Sequence, residues 1–235
     1  MTAPETKSPE PEQPHYIGHR QRLRGRFLSA PKGSLPDYEL LEIMLFAASP
    51  RMDVKPLAKQ LLLRFGSLAG VITAQTDELK EIKGMNDIAI TQLKAVQDMS
   101  ERLIKQEITE KPIIQSWKAL LDYCRASMGH LKKEQFRLLF LNKKHMIISD
   151  ELQEYGTVDQ TPVYPREVVK RALQLEASSI IMVHNHPSGD VRPSKEDIQI
   201  TKQIMQAAET VGITLHDHVI ISSKNHYSFK AHGVM

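Results

Sequence analysis

The sequence predicts a small all-α domain followed by an α/β (α+β) sheet domain with flanking helices. Three observations carry this. Apolar residues recur at three-and-four spacing from about Ser34 to Lys105. The chain then turns polar around "EITEKPIIQS", which contains Pro112. Beyond that point, runs rich in Ile, Val and Leu alternate with amphipathic segments, the pattern of a sheet with covering helices. These set a tail over residues 1–18, a helical domain over 19–110 and a sheet domain over 111–235.

Taken in order, "MTAPETKSPEPEQPHY" is rich in Pro and Glu and reads as a disordered tail, without the basic-then-apolar pattern of a signal peptide. "HRQRLRGRF" follows, with Arg20, Arg22, Arg24 and Arg26 at alternate positions. It is either a phosphate-gripping arm or a solvated helix end. "LPDYELLEIMLFAAS" has the spacing of one helix face, and "DVKPLAKQLLLRFGSL" gives a second helix stopped by Gly66. "TDELKEIKG" predicts a third, capped by Thr76 or Asp77 and stopped by Gly84; "DIAITQLKAVQDMSERLIKQ" predicts the longest.

In the sheet domain, "SWKALLDYCRASM" predicts a helix capped by Ser116, and "EQFRLLFLN" and "HMIISDEL" predict strands, "FRLLFL" being apolar enough to bury both faces. "YPREVVKRALQLE" is helical, with Pro165 in its first turn. "SSIIMVHNH" is a strand, "SKEDIQITKQIMQAAETVG" a helix closed by Gly212, and "ITLHDHVIISS" a further strand.

Composition narrows the function classes. The 235 residues suffice to bury a core, and 41% hydrophobic with 25% charged residues is ordinary for a soluble protein. No apolar run approaches the roughly 18 residues that span a membrane, so no membrane partner is expected. The only cysteine, Cys124, cannot form an intrachain disulfide, which suits a reducing cytoplasm. A net charge of +3 is too small to signal a nucleic-acid partner by itself.

The chemistry concentrates in "HNHPSGDVRPSKED". Side chains two apart on a strand share a face, so His184 and His186 project together while Asn185 points away. Two imidazoles at a strand end, with Asp197 returning after the turn at Pro187 to Gly189, could supply the three protein ligands of a catalytic zinc. The same residues also read as a strand, a turn and a capped helix, because Ser194 to Asp197 is an S-x-x-D helix start. His216 and His218 repeat the H-x-H spacing in "LHDHVI", so spacing alone leaves both readings open.

"HNHPSGDVRPSKED" resembles the JAMM (MPN or JAB) metallopeptidase motif, H-x-H-P, a short spacer, then S-x-x-D. Asn between the histidines and Ser-Gly after the proline resemble the RadC branch. "YGTVDQTPVYPREVVKRAL" and "LHDHVII" resemble the flanking RadC segments, so the resemblance covers about Pro112 to the end. It implies a JAMM/MPN-like fold, with His184, His186 and Asp197 as zinc ligands and Ser194 as the hydroxyl that stabilises a tetrahedral intermediate. It also implies an upstream glutamate as base. Glu134 fits best by position and Glu151 is the alternative. The implied reaction is amide or isopeptide hydrolysis of a peptide substrate.

"FGSLAGVITAQTDELKEIKGMNDIAITQLKAVQDM" resembles the helix-hairpin-helix region that precedes the RadC motif domain. Its turn usually reads Gly-hydrophobic-Gly and binds phosphate through backbone N–H groups. Here Gly84 and Met85 are present but Asn86 stands at the second glycine, a residue type that tolerates left-handed backbone. This hairpin and the Arg20 to Arg26 arm are the candidate DNA contacts, with a purely structural helix pair as the other reading. The alternative role is a DNA-repair or recombination accessory protein whose zinc domain is structural or catalytically silent.

Overall fold

The computed structural model describes residues 18–153 and 163–235. The expected disordered tail lies, up to residue 17, outside the described residues, as does the stretch from residue 154 to residue 162. The chain forms two compact units, Met1–Gln97 and Asp98–Met235, dividing upstream of the polar stretch around Pro112.

The first unit is helical: α1 (His19–Ser29), α2 (Asp37–Ala48), α3 (Lys55–Phe65), α4 (Leu68–Thr73), α5 (Thr76–Lys80) and the start of α6 (Asp87–Thr109). Leu41, Leu45, Ala58, Leu61, Val71 and Leu79 are fully buried at its centre. The basic arm is helix α1, and Arg20, Arg24 and Arg26 make contacts inside the unit. Arg20 donates to the carbonyls of Phe46, Ser49 and Met52 at 2.9, 2.5 and 2.6 Å, satisfying acceptors that the end of α2 leaves open. Arg26 pairs with Glu39, and Arg24 lies over the Phe46 ring at 5.6 Å.

Gly66 closes α3 in left-handed backbone, φ 80°. α5 is shorter than its sequence pattern. It ends at Lys80 rather than Gly84, and its cap is Gln75, not Thr76 or Asp77, because Gln75 and Glu78 form a reciprocal capping box. Gly84 (φ 100°) makes the turn into α6. Asn86 does not use left-handed backbone: among the described residues the non-glycines at positive φ are His145 and Glu176. Instead its Oδ1 accepts from the Ala89 N–H at 2.9 Å, capping α6, and its Nδ2 donates to the Ala48 carbonyl at 2.9 Å.

The second unit contains the rest of α6, α7 (Trp117–Met128), β1 (Phe136–Leu141), β2 (Ile147–Gln153), α8 (Pro165–Gln174), β3 (Ser179–Asn185), α9 (Lys195–Glu209), β4 (Thr214–Ile221) and β5 (His226–Ser228). The strands form one sheet in the order β2-β1-β3-β4-β5. β3 and β4 are parallel, as a helical crossover through α9 requires, and the other pairs are antiparallel. Ile181 and Val183 face a core with Leu120, Cys124 and Met128 of α7. Ile180 and Met182 face the opposite core, with Val168 and Ala172 of α8 and Ile204 and Ala208 of α9. β3 is buried along its whole length, which explains its unbroken apolar run.

Ser116 precedes α7, but its hydroxyl donates back to the Pro112 carbonyl rather than capping the helix. β1 is buried apart from Arg137, whose guanidinium donates to Asp150 of β2 at 2.6 Å. Tyr123 donates to the same carboxylate at 2.6 Å, and Lys105 lies 2.7 Å from it. Burial pushes the Cys124 thiol up to about 12, as befits an unreactive core residue.

Candidate metal centre

In open sheets with parallel strands, ligands bind beyond the carboxyl ends of those strands. His184 stands at that end of β3, and His186 follows it into a turn. Successive β3 side chains alternate between the two cores, so His184 and His186 take the α9 face and Asn185 takes the α7 face. Asn185 is buried there. Its Oδ1 accepts from the Gln135 N–H at 2.8 Å, and its Nδ2 donates to the Leu131 and Lys133 carbonyls at 3.4 and 3.1 Å. The segment so held carries Glu134.

The turn brings the chain back to α9. The Gly189 N–H donates to the His186 carbonyl at 3.0 Å, with Gly189 at φ 85°. Ser194 caps α9: its Oγ accepts from the Asp197 N–H at 3.0 Å, while Asp197 Oδ2 accepts from the Ser194 N–H at 2.8 Å and the hydroxyl at 2.7 Å. The capping box therefore uses Oδ2 and leaves Oδ1 to face His184 Nε2 at 3.2 Å. Helix start and candidate ligand position coincide in one carboxylate.

His184, His186 and Asp197 each offer a ligand atom, and these atoms lie within 4.8 Å of one another. The two Nε2 atoms are 3.0 Å apart. His186 Nδ1 donates to the Asp190 carbonyl at 2.7 Å, and His184 Nδ1 meets His218 Nε2 at 2.8 Å. With both Nδ1 atoms engaged, two imidazole lone pairs and a carboxylate oxygen converge with no proton assigned among them. Such a set repels itself unless a cation lies between its members, and His₂Asp with an open position is a catalytic-zinc donor set. The residues therefore fit the metal.

The side chains of His184, His186 and Asp197 are 5%, 12% and 18% exposed, whereas neighbouring Glu134 is 45% exposed and faces solvent. Glu134 Oε1 lies 3.7 Å from His186 Nε2. Glu151 sits on β2 opposite Leu138, and its carboxylate is bound to Arg171 at 2.6 to 2.9 Å and to Ser149 at 2.7 Å. The hydrogen bond from Arg171 chiefly lowers the Glu151 pKa, which makes it a weak base.

Electrostatics favour an ionised Asp197 beside a neutral His218. Burial raises the Asp197 pKa, but His184, His186 and Ser194 outweigh it and hold this carboxyl far below the usual range. The Asp197 contact raises His186. Burial drives His218 well below the ordinary imidazole value, so it is neutral.

His218 is the residue that spacing obscured. It belongs to the second H-x-H pair, but a bulge separates the two rings: Ile180 pairs with Leu215 and Ile181 with Asp217, leaving His216 as the extra residue. His216 consequently packs near Trp117 and His145, with centroids 6.2 and 5.8 Å away, while His218 packs against His184 at 4.8 Å. One pair converges as candidate ligands; the other is divided between the faces of the sheet.

Comparison with known proteins identifies the family. The RadC-like JAB domain matches residues 114–234, and the UPF0758 N-terminal domain matches residues 16–91. A UPF0758 protein of Ruegeria pomeroyi is 50% identical over 223 residues, covering 94% of this chain and 100% of that protein. Sequence and architecture together make this chain a member of the RadC family, with a RadC-like JAB domain behind a UPF0758 N-terminal domain.

Proposed function

We propose that the second unit is a zinc-dependent amide or isopeptide hydrolase acting on a peptide substrate. The observation that carries the reading is Glu134, a solvent-facing carboxylate 3.7 Å from His186 Nε2 and outside the three-ligand set. Holding zinc does not require a fourth acidic group at that position; proton transfer does.

His184, His186 and Asp197 would hold the ion. Once bound, zinc would supply a Lewis acid and lower the pKa of an attacking water toward neutrality. Glu134 accepts the proton of the attacking water and returns it to the leaving amine, the two halves of general acid–base catalysis. The Ser194 hydroxyl, which rests on Asp197 at 2.7 Å, turns to the developing oxyanion. Such a donor contributes about 2.7–4 kcal/mol to the transition state. Water is the nucleophile, so no acyl-enzyme forms.

Incubating the zinc-loaded protein with a library of peptides and isopeptide-linked conjugates, read by mass spectrometry, tests the proposal. Cleavage at amide bonds that a chelator stops and added zinc restores is the expected result. A library unchanged with saturating zinc would contradict it.

A further inference from the structure

The polarity of the hydrogen bonds behind His184 is determined, and it begins at a backbone carbonyl. Thr201 Oγ1 lies 2.5 Å from the Asp197 carbonyl oxygen and 2.6 Å from His218 Nδ1. A carbonyl only accepts, so the single hydroxyl proton of Thr201 goes to it and the hydroxyl lone pairs face His218. Nδ1 of His218 must then carry the ring proton and donate. Nε2 of the same ring is left as an acceptor, and the group it meets at 2.8 Å is His184 Nδ1, which must donate. His184 Nε2 is therefore the bare nitrogen, and it is the one that faces Asp197 Oδ1.

This chain leaves and re-enters the donor set. It starts at the main chain of one ligand residue, Asp197 on α9, passes through Thr201 one turn along the same helix, crosses to His218 on β4, and ends on a second ligand, His184 on β3. Thr201 is 1% exposed and His218 0%, so water does not compete for these bonds. Phe136 stacks on the His184 ring at 5.8 Å and Phe229 on the His218 ring at 4.5 Å, fixing both ring planes.

We infer that His218 and Thr201 are positioning residues for the metal. They impose the tautomer that presents His184 through Nε2, and they fix the separation of β3 and α9 at which His184 and Asp197 grip one ion. The inference rests on the zinc reading of the site. Neither residue touches the ion or the substrate, and outer-shell partners of this kind typically contribute about 10–100-fold in metal affinity.

The test is zinc affinity by competition with a chromophoric chelator for the full chain and three variants. Thermal midpoints of the metal-free proteins and long-range ¹H–¹⁵N spectra of the imidazoles accompany it. His218→Leu, which has no acceptor, is expected to weaken zinc binding by about 10–100-fold. His218→Gln, which has both an acceptor for His184 and a donor for Thr201, recovers most of that loss. Thr201→Val, nearly isosteric, weakens binding less and releases the His218 tautomer, while the parent spectra show His218 and His184 both protonated on Nδ1.

A purely structural role would lower the midpoints without separating Gln from Leu in affinity, and that result would overturn the inference. His218 protonated on Nε2 in the parent would overturn it too. A parent that takes up no zinc would overturn the reading of the site itself, and this inference with it. A zinc-binding parent whose affinity His218→Leu leaves unchanged would overturn the relay alone.

Discussion

Glu134→Gln is expected to leave zinc content unchanged and to lower hydrolysis by about 10²–10⁴-fold, the usual contribution of a positioned general base. The side chain keeps its size and hydrogen-bonding reach but cannot accept the proton. The comparison that gives this force is Glu151→Gln. Glu151 is committed to Arg171 and Ser149 on β2, so its replacement should change hydrolysis far less than the Glu134 substitution. Single-turnover hydrolysis at saturating zinc, with metal content measured on the same samples, checks both. Equal losses from the two variants would show that the base had been misassigned.

Asp150→Ala should cost about 3–5 kcal/mol of stability, because it leaves the Arg137 guanidinium buried without its counter-charge. The side chains of Asp150 and Arg137 are 3% and 14% exposed, so solvent does little to compensate. Replacing both, for example Arg137→Met with Asp150→Leu, should recover much of the loss, since a well-packed apolar pair is often as stable as a buried ion pair. Urea unfolding of the metal-free protein provides the measurement, and a loss below about 1 kcal/mol for Asp150→Ala would contradict the account.

The same cluster predicts a pH dependence. Burial raises the Asp150 pKa, but Arg137, Lys105 and Tyr123 outweigh burial and bring it below its ordinary value. A carboxyl depressed in the folded state contributes stability that is fully present above the unfolded pKa of about 3.9. That contribution disappears as pH falls through the lower folded value. Wild-type stability should accordingly fall with acid below about pH 4 by more than that of the apolar double variant.

How legible these features were depended on whether the information was local. The capping box at Ser194 and Asp197 was readable because a helix start needs an acceptor and an acid at fixed spacing, and Asp197 then serves two ends through its two oxygens. β3 was readable because burial on both faces demands an unbroken apolar run. His218 was not, since only pairing with β3 reveals that His216 is the bulged residue and that the two rings part company.

The two glutamates could not be separated by chemistry for a similar reason. What distinguishes them is Arg171, twenty residues beyond Glu151, and Asn185, which ties down the segment around Glu134. In the helical unit, the alternate arginines of α1 leave a phosphate-gripping arm and a solvated helix end both open, because the contacts they make inside the unit are tertiary. The carbonyls that Arg20 reaches lie 26 to 32 residues away. Asn86 likewise reads as a substitution for glycine in a turn, yet it caps α6 and tethers Ala48.

The central claim, that His184, His186 and Asp197 hold a zinc ion beside a working base, is tested most directly by metal stoichiometry. Zinc per chain should be measured in the native protein, in Asp197→Ala and in Glu134→Gln, purified in parallel. The account predicts about one zinc per chain in the native protein, a large loss in Asp197→Ala and near-native content in Glu134→Gln. Full zinc retention by Asp197→Ala would contradict it.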